Sequence, residues 1–454
     1  SATLDDARLV EATAVDAGFD GATLRGATVA ETDLTGGTLA RADLESATVE
    51  LATLDSVDLA EADLSNATVA ETTFETATLS GATFAHATLT TVSFHGSTLG
   101  GADLRAVTAE GVSFEEADLQ DATLDDANVA GADFTDATLS TADLSRTTLT
   151  GATLDGATAD RVKLPDANLA DASLDGVDLS RGDLRRSDLS ETSLAGADLT
   201  AADLGETTFE EADLADATLE DVAASEAVFR AATLAGADLV GADLTEAVCV
   251  GADATDADFA GVTLCGADLT DATVTDASVE YADLSEAVAT GADFGGTVLR
   301  ETDATDCVFD DARLAGATVY ATDLTGATAV GVDAADLSVG ESTLTAVDLT
   351  DAVLSGADLA GVTLADVDIS GADLTAATLT GATLDGATAE ETVFVDSSLD
   401  SASLSDATLA GAELTRATLT EATGTEADLS AADLSAVDAA DVEFGQATLA
   451  DATL

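Results

Sequence analysis

The sequence predicts an all-β solenoid, and three observations on its 454 residues carry that prediction. Every fifth residue from Leu4 to Leu454 is Leu, Phe, Val, Ala, Ile or Cys, with Gly424 as the one exception. The residue two positions before each of these is small, and usually Ala, from Ala2 to Ala452. None of the 14 basic and 89 acidic residues falls in either column, whereas all 13 phenylalanines fall in the first.

A period of five residues fits neither a helix nor a flat strand. An α-helix turns by about 100° per residue, so five residues drift by about 140° and spread the apolar column around the helix axis. Side chains of a strand alternate between its two faces, so an odd period would move the column to the other face at each repeat. The pattern works if each repeat is a short extended side followed by a corner, with two residues pointing inward and three facing water.

The repeats carry a recognisable motif. The chain contains "ADLES" from Ala42, "ADLSN" from Ala62, "ADFTD" from Ala132 and "ADLTA" from Ala372. These segments resemble the A(D/N)LXX motif of the pentapeptide-repeat family over the whole length of the chain. Many repeats depart from it by placing Thr where the motif has Asp or Asn, as in "ATLDD" from Ala2, but this position faces outward.

The resemblance implies a right-handed, four-sided parallel β-helix with four repeats in each coil. On that basis we expect one continuous solenoid domain over residues 1–454, with about 22–23 coils, each a 20-residue turn, stacked at a strand spacing of ~4.8 Å. The phenylalanines support this coil length, because Phe74, Phe94, Phe114 and Phe134 recur at every fourth repeat. They are therefore expected to form a ladder in the core, where stacked rings stabilise beyond their buried area.

Two places in the repeat depart from the pattern. Gly424 is expected to leave an inward position empty. Leu337 stands in the small column while nearby Ala334 stands in the large one, which a swap of sizes or a local bulge would explain.

The formal net charge of -75 is extreme, and Lys163 is the only lysine. Excess carboxylate with almost no lysine is typical of proteins from extreme halophiles, where molar salt screens the repulsion between carboxylates. The composition therefore favours charge as a device for solubility in salt.

Chemistry is not expected along this surface. His86 and His95 lie about half a coil apart, and no nucleophile elbow, zinc motif or phosphate loop occurs. The outward acidic ladders are expected to attract bulk cations rather than to build a metal site, and no cofactor is indicated. Cys249 and Cys307 fall in inward columns, Cys265 faces out, and their odd number favours a reducing compartment. No apolar run approaches the ~20 residues of a membrane span.

Basic residues cluster once, and the cluster is a candidate patch for docking a partner, although it could also serve only to neutralise nearby carboxylates. Five of the 14 basic residues lie within 26 positions: Arg161, Lys163, Arg181, Arg185 and Arg186.

Two functions compete. The first is a non-enzymatic acidic rod that acts as a structural, spacer or protein-interaction element, which binds a protein partner or associates with itself through its ends. The second is a DNA mimic that binds a topoisomerase or another DNA-binding protein, since the predicted rod carries about one charge per ~1.5 Å, against one per ~1.7 Å for duplex DNA. Neither involves direct binding of nucleic acid by the chain.

Overall fold

The computed structural model describes residues 2–454 and divides into two compact units, Ser1–Val228 and Phe229–Leu454. Within each unit every pairing is parallel and joins a residue to the one 20 positions later, from Thr3–Thr23 in the first unit to Asp433–Thr453 in the second. Residues 2–454 contain no helix. The predicted β-helix with four repeats in each coil is thereby confirmed.

Longer strands form one sheet in each unit. In the first unit six strands pair in chain order. They are β1 (Arg8–Val10), β2 (Thr28–Ala30), β3 (Thr48–Glu50), β4 (Thr68–Thr73), β5 (Thr88–Ser93) and β6 (Thr108–Glu110). In the second unit four strands pair in the same way, namely β7 (Ser278–Glu280), β8 (Val298–Arg300), β9 (Thr318–Tyr320) and β10 (Ser338–Gly340). The remaining described sides are single bridges with the same register.

Within a unit, backbone hydrogen bonds join each side of a coil to the matching sides of the coils above and below it. The N–H of Leu24 donates to the carbonyl of Asp43 at 2.6 Å, and the N–H of Asp43 donates back to the carbonyl of Ala22 at 2.9 Å. Because buried backbone groups must be paired, this reciprocal bonding between coils fixes the register for every repeat that lies inside a unit.

The corners have a left-handed backbone. At the corner after Leu24 the N–H of Ala27 donates to the carbonyl of Leu24 at 3.0 Å, and Gly26 between them has φ of 63°. Positive φ at the third residue is the signature of a type II turn and favours glycine. The same position has positive φ in repeat after repeat, and most of the 37 glycines of the chain occupy it.

Both inward columns are buried except near the two ends of the chain, and the buried hydroxyls in the small column are satisfied by backbone. Thr147 donates to the carbonyl of Leu124 at 2.9 Å, and Thr207 donates to that of Leu184 at 2.7 Å. In each case the acceptor lies in the coil below. Thr therefore replaces Ala in this column without leaving an unpaired buried hydroxyl.

The four phenylalanines of the ladder are fully buried and stack face to face. Ring centroids are 5.1 Å apart between Phe74 and Phe94, 5.1 Å between Phe94 and Phe114, and 4.9 Å between Phe114 and Phe134. Phe84 contacts Phe94 edge-on from the opposite side of the coil at 5.7 Å. This segment is the most aromatic part of the core, and ring contacts of this kind are worth roughly 0.5–1.5 kcal/mol each beyond burial.

The exchange of sizes at Ala334 and Leu337 is a swap and not a bulge. Both side chains are buried, and the pairing of Asp333 with Arg313 and of Ser338 with Thr318 keeps the register of the coil on either side. The swap has a cost, because a cavity of about 50 Å³ lies among the apolar side chains there.

The expectation of an empty position at Gly424 was wrong. The ring of Phe444, one coil later, lies over Gly424, and a Cβ at Gly424 would meet two of its ring carbons at 2.5 Å. The glycine makes room for a ring that the next coil supplies.

Removing one ring from the ladder should be costly. We expect Phe94→Ala to lower the free energy of unfolding by ~3–5 kcal/mol, because it leaves a cavity between two stacked rings. Ser93→Ala, on the outward position beside it, should cost well under ~1 kcal/mol. Denaturant melts of both variants measure this, and equal losses would show that the inward register is wrong.

Filling the cavity should stabilise the second unit. Ala334→Val adds two carbons that project into the cavity, so we expect a gain of up to ~1.6 kcal/mol at ~0.8 kcal/mol per buried CH₂. Ala389→Val is the matched control, because Ala389 is buried in the same column just before Phe394. The control should give no gain, since an added methyl in a filled core introduces strain. A gain from both variants, or from neither, would contradict the packing described here.

Candidate functional site

The five predicted basic residues lie on one side of the first unit. Pairing of Lys163 with Asp143 and with Asp183 places the segments 141–146, 161–166 and 181–186 one above another. Arg161 and Arg181 occupy one corner of this side, and Arg185 and Arg186 occupy the next corner. We call the outward residues of these three segments the cationic face.

The side chains of Arg185 and Arg186, at the second of these corners, are held by short ion pairs. Arg185 places Nη2 2.7 Å from Oδ2 of Asp183, and Arg186 places Nε 2.8 Å from Oδ1 of Asp166, one coil below. These hydrogen bonds hold the pKa of Asp183 and of Asp166 below its ordinary range, because the guanidinium groups favour the ionised carboxylates. Both arginines are thus oriented and largely neutralised by their partners.

Sequence reasoning missed one member of the cationic face. Arg146 lies one coil below Asp166, and its guanidinium contacts Asp126 at 2.9 Å and Asp125 at 2.6 Å. One corner therefore alternates in sign from coil to coil through Asp126, Arg146, Asp166 and Arg186. A search among residues one coil apart, rather than among neighbours in sequence, would have found it.

Three other basic groups are less engaged. Nη1 of Arg161 lies 3.3 Å from Oδ2 of Asp160, and Nζ of Lys163 lies 4.0 Å from Oδ2 of Asp143. Arg181 makes no ion pair with the residues that the structure describes, 2–454. The cationic face holds six basic and three acidic residues, and the adjoining Asp125, Asp126 and Asp160 pair with two of the six basic residues.

The carboxylates elsewhere also have a local role. Oδ1 of Asp303 accepts a hydrogen bond from the backbone N–H of Thr305 at 3.0 Å, and Oδ1 of Asp323 accepts one from Thr325 at the same distance. An Asp before the large inward residue thus caps the following corner, as in other Asx turns. One oxygen is used locally, and the acidic ladder formed by the other oxygens faces the solvent.

The remaining reactive groups are scattered. Cys249 and Cys307 are buried, and burial raises the pKa of each thiol to about 12. Nδ1 of His95 lies 3.5 Å from Oε2 of Glu115, and His86 stands at a different corner. Within residues 2–454 no three or more His, Cys, Asp or Glu side chains are grouped to hold a metal ion. Nor does that range contain a helix long and apolar enough to cross a membrane.

Comparison with known proteins places these observations in a family. The family model for pentapeptide repeats matches most of the chain, over residues 58–96, 97–136, 127–164, 152–190, 192–230, 225–261, 267–303, 292–328, 342–381, 377–416 and 402–438. No curated protein matches the chain.

Several solved structures are similar. HetL, a pentapeptide repeat protein involved in regulation of heterocyst differentiation in the cyanobacterium Nostoc sp. strain PCC 7120, is 29% identical over 59% of this chain and 89% of its own, with a TM-score of 0.26. A pentapeptide repeat protein of the Arabidopsis thaliana thylakoid lumen is 32% identical over 22% of this chain and 67% of its own, with a TM-score of 0.18. A form of QnrB1, a plasmid-mediated fluoroquinolone resistance protein, is 18% identical over 36% of this chain and 82% of its own, with a TM-score of 0.25.

The pairing of residues 20 positions apart, the two buried inward columns and the match of the family model all indicate five-residue repeats, four to a coil. The chain belongs to the pentapeptide repeat family.

Proposed function

We propose that this protein is a non-enzymatic interaction element, an acidic β-solenoid whose cationic face docks an acidic surface of a partner protein. The observation that carries the proposal is the gathering of six of the 14 basic residues on that face of a chain with a net charge of -75. Arg161, Lys163 and Arg181 are the groups available to a partner, because the other three basic residues already hold short ion pairs.

The backbone suits this use. Each repeat is tied to the coils above and below it by hydrogen bonds, so the side chains of the cationic face start from fixed positions. A preorganised surface loses less conformational entropy on binding than a mobile one. The acidic remainder of the chain repels an acidic partner at longer range. Molar salt reduces the Debye length to ~3 Å and screens that repulsion, so ion pairs in direct contact at the cationic face then determine which partner is bound.

Charge-matched variants test the proposal. We expect the triple variant Arg161→Ala, Lys163→Ala, Arg181→Ala to lose partners that wild-type protein captures from extracts of its source cells in molar salt. The control variant Arg8→Ala, Arg41→Ala, Arg230→Ala removes the same charge from other places and should keep them. Quantitative mass spectrometry of the captured proteins reads the outcome, and the idea fails if both variants lose the same partners or neither loses any.

Polyanion mimicry is the second candidate, and the acidic ladders favour it. Asp283, Asp303 and Asp323 pair in successive coils, so outward carboxylates recur at a single strand spacing. Inhibition of gyrase supercoiling by the protein, at a salt concentration where gyrase is active, would support mimicry. The cationic-face variant should inhibit at least as strongly as wild type, because it is more acidic.

We further propose that the net charge is an adaptation to high salt. Carboxylates stacked ~4.8 Å apart repel by roughly 1 kcal/mol in water before screening. Unfolding separates these charges, so the repulsion raises the free energy of the folded state selectively.

Stability should therefore rise steeply between ~0.01 M and 1 M salt, over which the Debye length falls from ~30 Å to ~3 Å. Thermal melting over this range is the measurement. Sodium chloride and sodium sulfate at equal ionic strength separate screening from strengthened burial, because sulfate also stabilises the core. A melting temperature that stays constant within a few degrees contradicts the adaptation to salt and favours a selected use of the charge, such as mimicry.

A further inference from the structure

Both tyrosines of the chain lie at one corner of the second unit. The chain has two Tyr and no Trp, and all its Phe residues are in the inward column. Tyr281 follows strand β7 and Tyr320 ends strand β9, two coils away at the same corner. With Glu280, Arg300, Glu301 and Glu341 they form what we call the aromatic corner.

The ring of Tyr320 is held flat across the sheet. Arg300, its partner in strand β8, places its guanidinium carbon 4.9 Å from the ring centroid, and Nε of Arg300 lies 3.9 Å from Oε1 of Glu280. On the other side of the ring is Gly340, where a Cβ would lie 3.0 Å from Cδ2 of Tyr320. Arg300 and Gly340 thus confine the ring between the two adjacent coils, and a side-chain hydrogen bond with Glu341 raises the pKa of Tyr320.

Tyr281 is presented to solvent by a strained backbone. Its φ is 59°, in the left-handed region that bulky side chains rarely adopt, and its side chain is 58% exposed. The equivalent corner position elsewhere holds mostly Gly, Asp or Glu. The corner conformation itself recurs throughout the fold, and what sets Tyr281 apart is a large aromatic ring held exposed at a position that elsewhere carries mostly small or acidic side chains.

The charge around these rings is negative. Glu301 and Glu341 occupy the corner itself, and the ladder of Asp283, Asp303 and Asp323 runs along the adjoining side. Tyrosine faces attract guanidinium and ammonium groups, and the flanking carboxylates supply ion pairs for the same groups.

We propose that the aromatic corner binds an extended Arg- and Lys-rich segment of a partner protein. Basic side chains of the segment lie against the exposed ring of Tyr281, and their charges pair with Glu301 and Glu341, while Tyr320 keeps its own contacts with Arg300 and Gly340. This surface differs from the cationic face in unit and in sign, so the protein has two recognition surfaces, one for acidic and one for basic partners.

Tyrosine fluorescence can be used to measure binding of a peptide at the aromatic corner. Because the chain has no Trp, its intrinsic fluorescence comes from Tyr281 and Tyr320. We expect an eight-residue peptide of alternating Arg and Ser to change this emission saturably in 0.5 M sodium chloride, whereas a peptide of alternating Asp and Ser should not. A wild-type emission that does not change on addition of the Arg peptide overturns the proposal.

Variants separate the aromatic corner from diffuse attraction to an acidic surface. Anisotropy of a labelled Arg peptide should show at least a tenfold loss of affinity for the variant Tyr281→Ser. Leu51→Ser is the matched control, because Leu51 is 52% exposed at a corner with φ of 52° and lies in the first unit. The control should bind as wild type does, and equal affinity of all three proteins would mean nonspecific binding and overturn the proposal.

Two further measurements exclude misfolding of the variants and self-association as explanations of the result. Melting temperatures of Tyr281→Ser and Leu51→Ser should match that of wild type, because both side chains are exposed. Sedimentation of the wild-type protein alone should give no association that Tyr281→Ser abolishes, since such association would make a second copy the occupant. The Arg161, Lys163, Arg181 variant should bind the Arg peptide normally, so failure of the cationic face and failure of the aromatic corner are distinguishable.

Discussion

The reciprocal hydrogen bonds between residues one coil apart are the constraint on which the other features depend. Leu24 donates to the coil above, and Asp43 in that coil donates back to Ala22, so one repeat cannot shift without breaking bonds on both sides. Four corners with positive φ then close each coil, and the side chains follow a period of five because the backbone does. The stacking of the Phe ladder, the hydrogen bonds of the hydroxyls in the small column and the alternating ion pairs are all contacts between adjacent coils, and this register creates them.

The sequence predicted the fold well because the interior is described by two columns. Charged residues never enter them, so the sequence alone identifies the inward positions. Handedness and the four-sided section came from the resemblance to a family and not from the pattern itself. The pattern could not reveal that Gly424 accommodates a ring, since that depends on the direction taken by Phe444 in the next coil.

The surface was harder to predict because its side chains contact residues one coil away, about 20 positions distant in the sequence, rather than their neighbours along the chain. The basic cluster was visible as five near neighbours, but Arg146 and its pairs with Asp125 and Asp126 were not. Arg300 and Tyr320 stand in successive coils, and only the coordinates show that the guanidinium lies over the ring. Rotamers at exposed corners are set by neighbours one coil away, and propensity does not encode them.

The pair formed by Gly424 and Phe444 has a consequence for how such a chain can change over generations. A larger side chain at Gly424 collides with the ring above it unless Phe444 becomes smaller in the same lineage. Substitutions in the interior are thus coupled in pairs that stand one coil apart, and a gain of volume in one coil is tolerated where the adjacent coil has lost it. Duplication of whole coils keeps these pairs together, whereas insertion of a single five-residue repeat would shift every partner by one side of the coil.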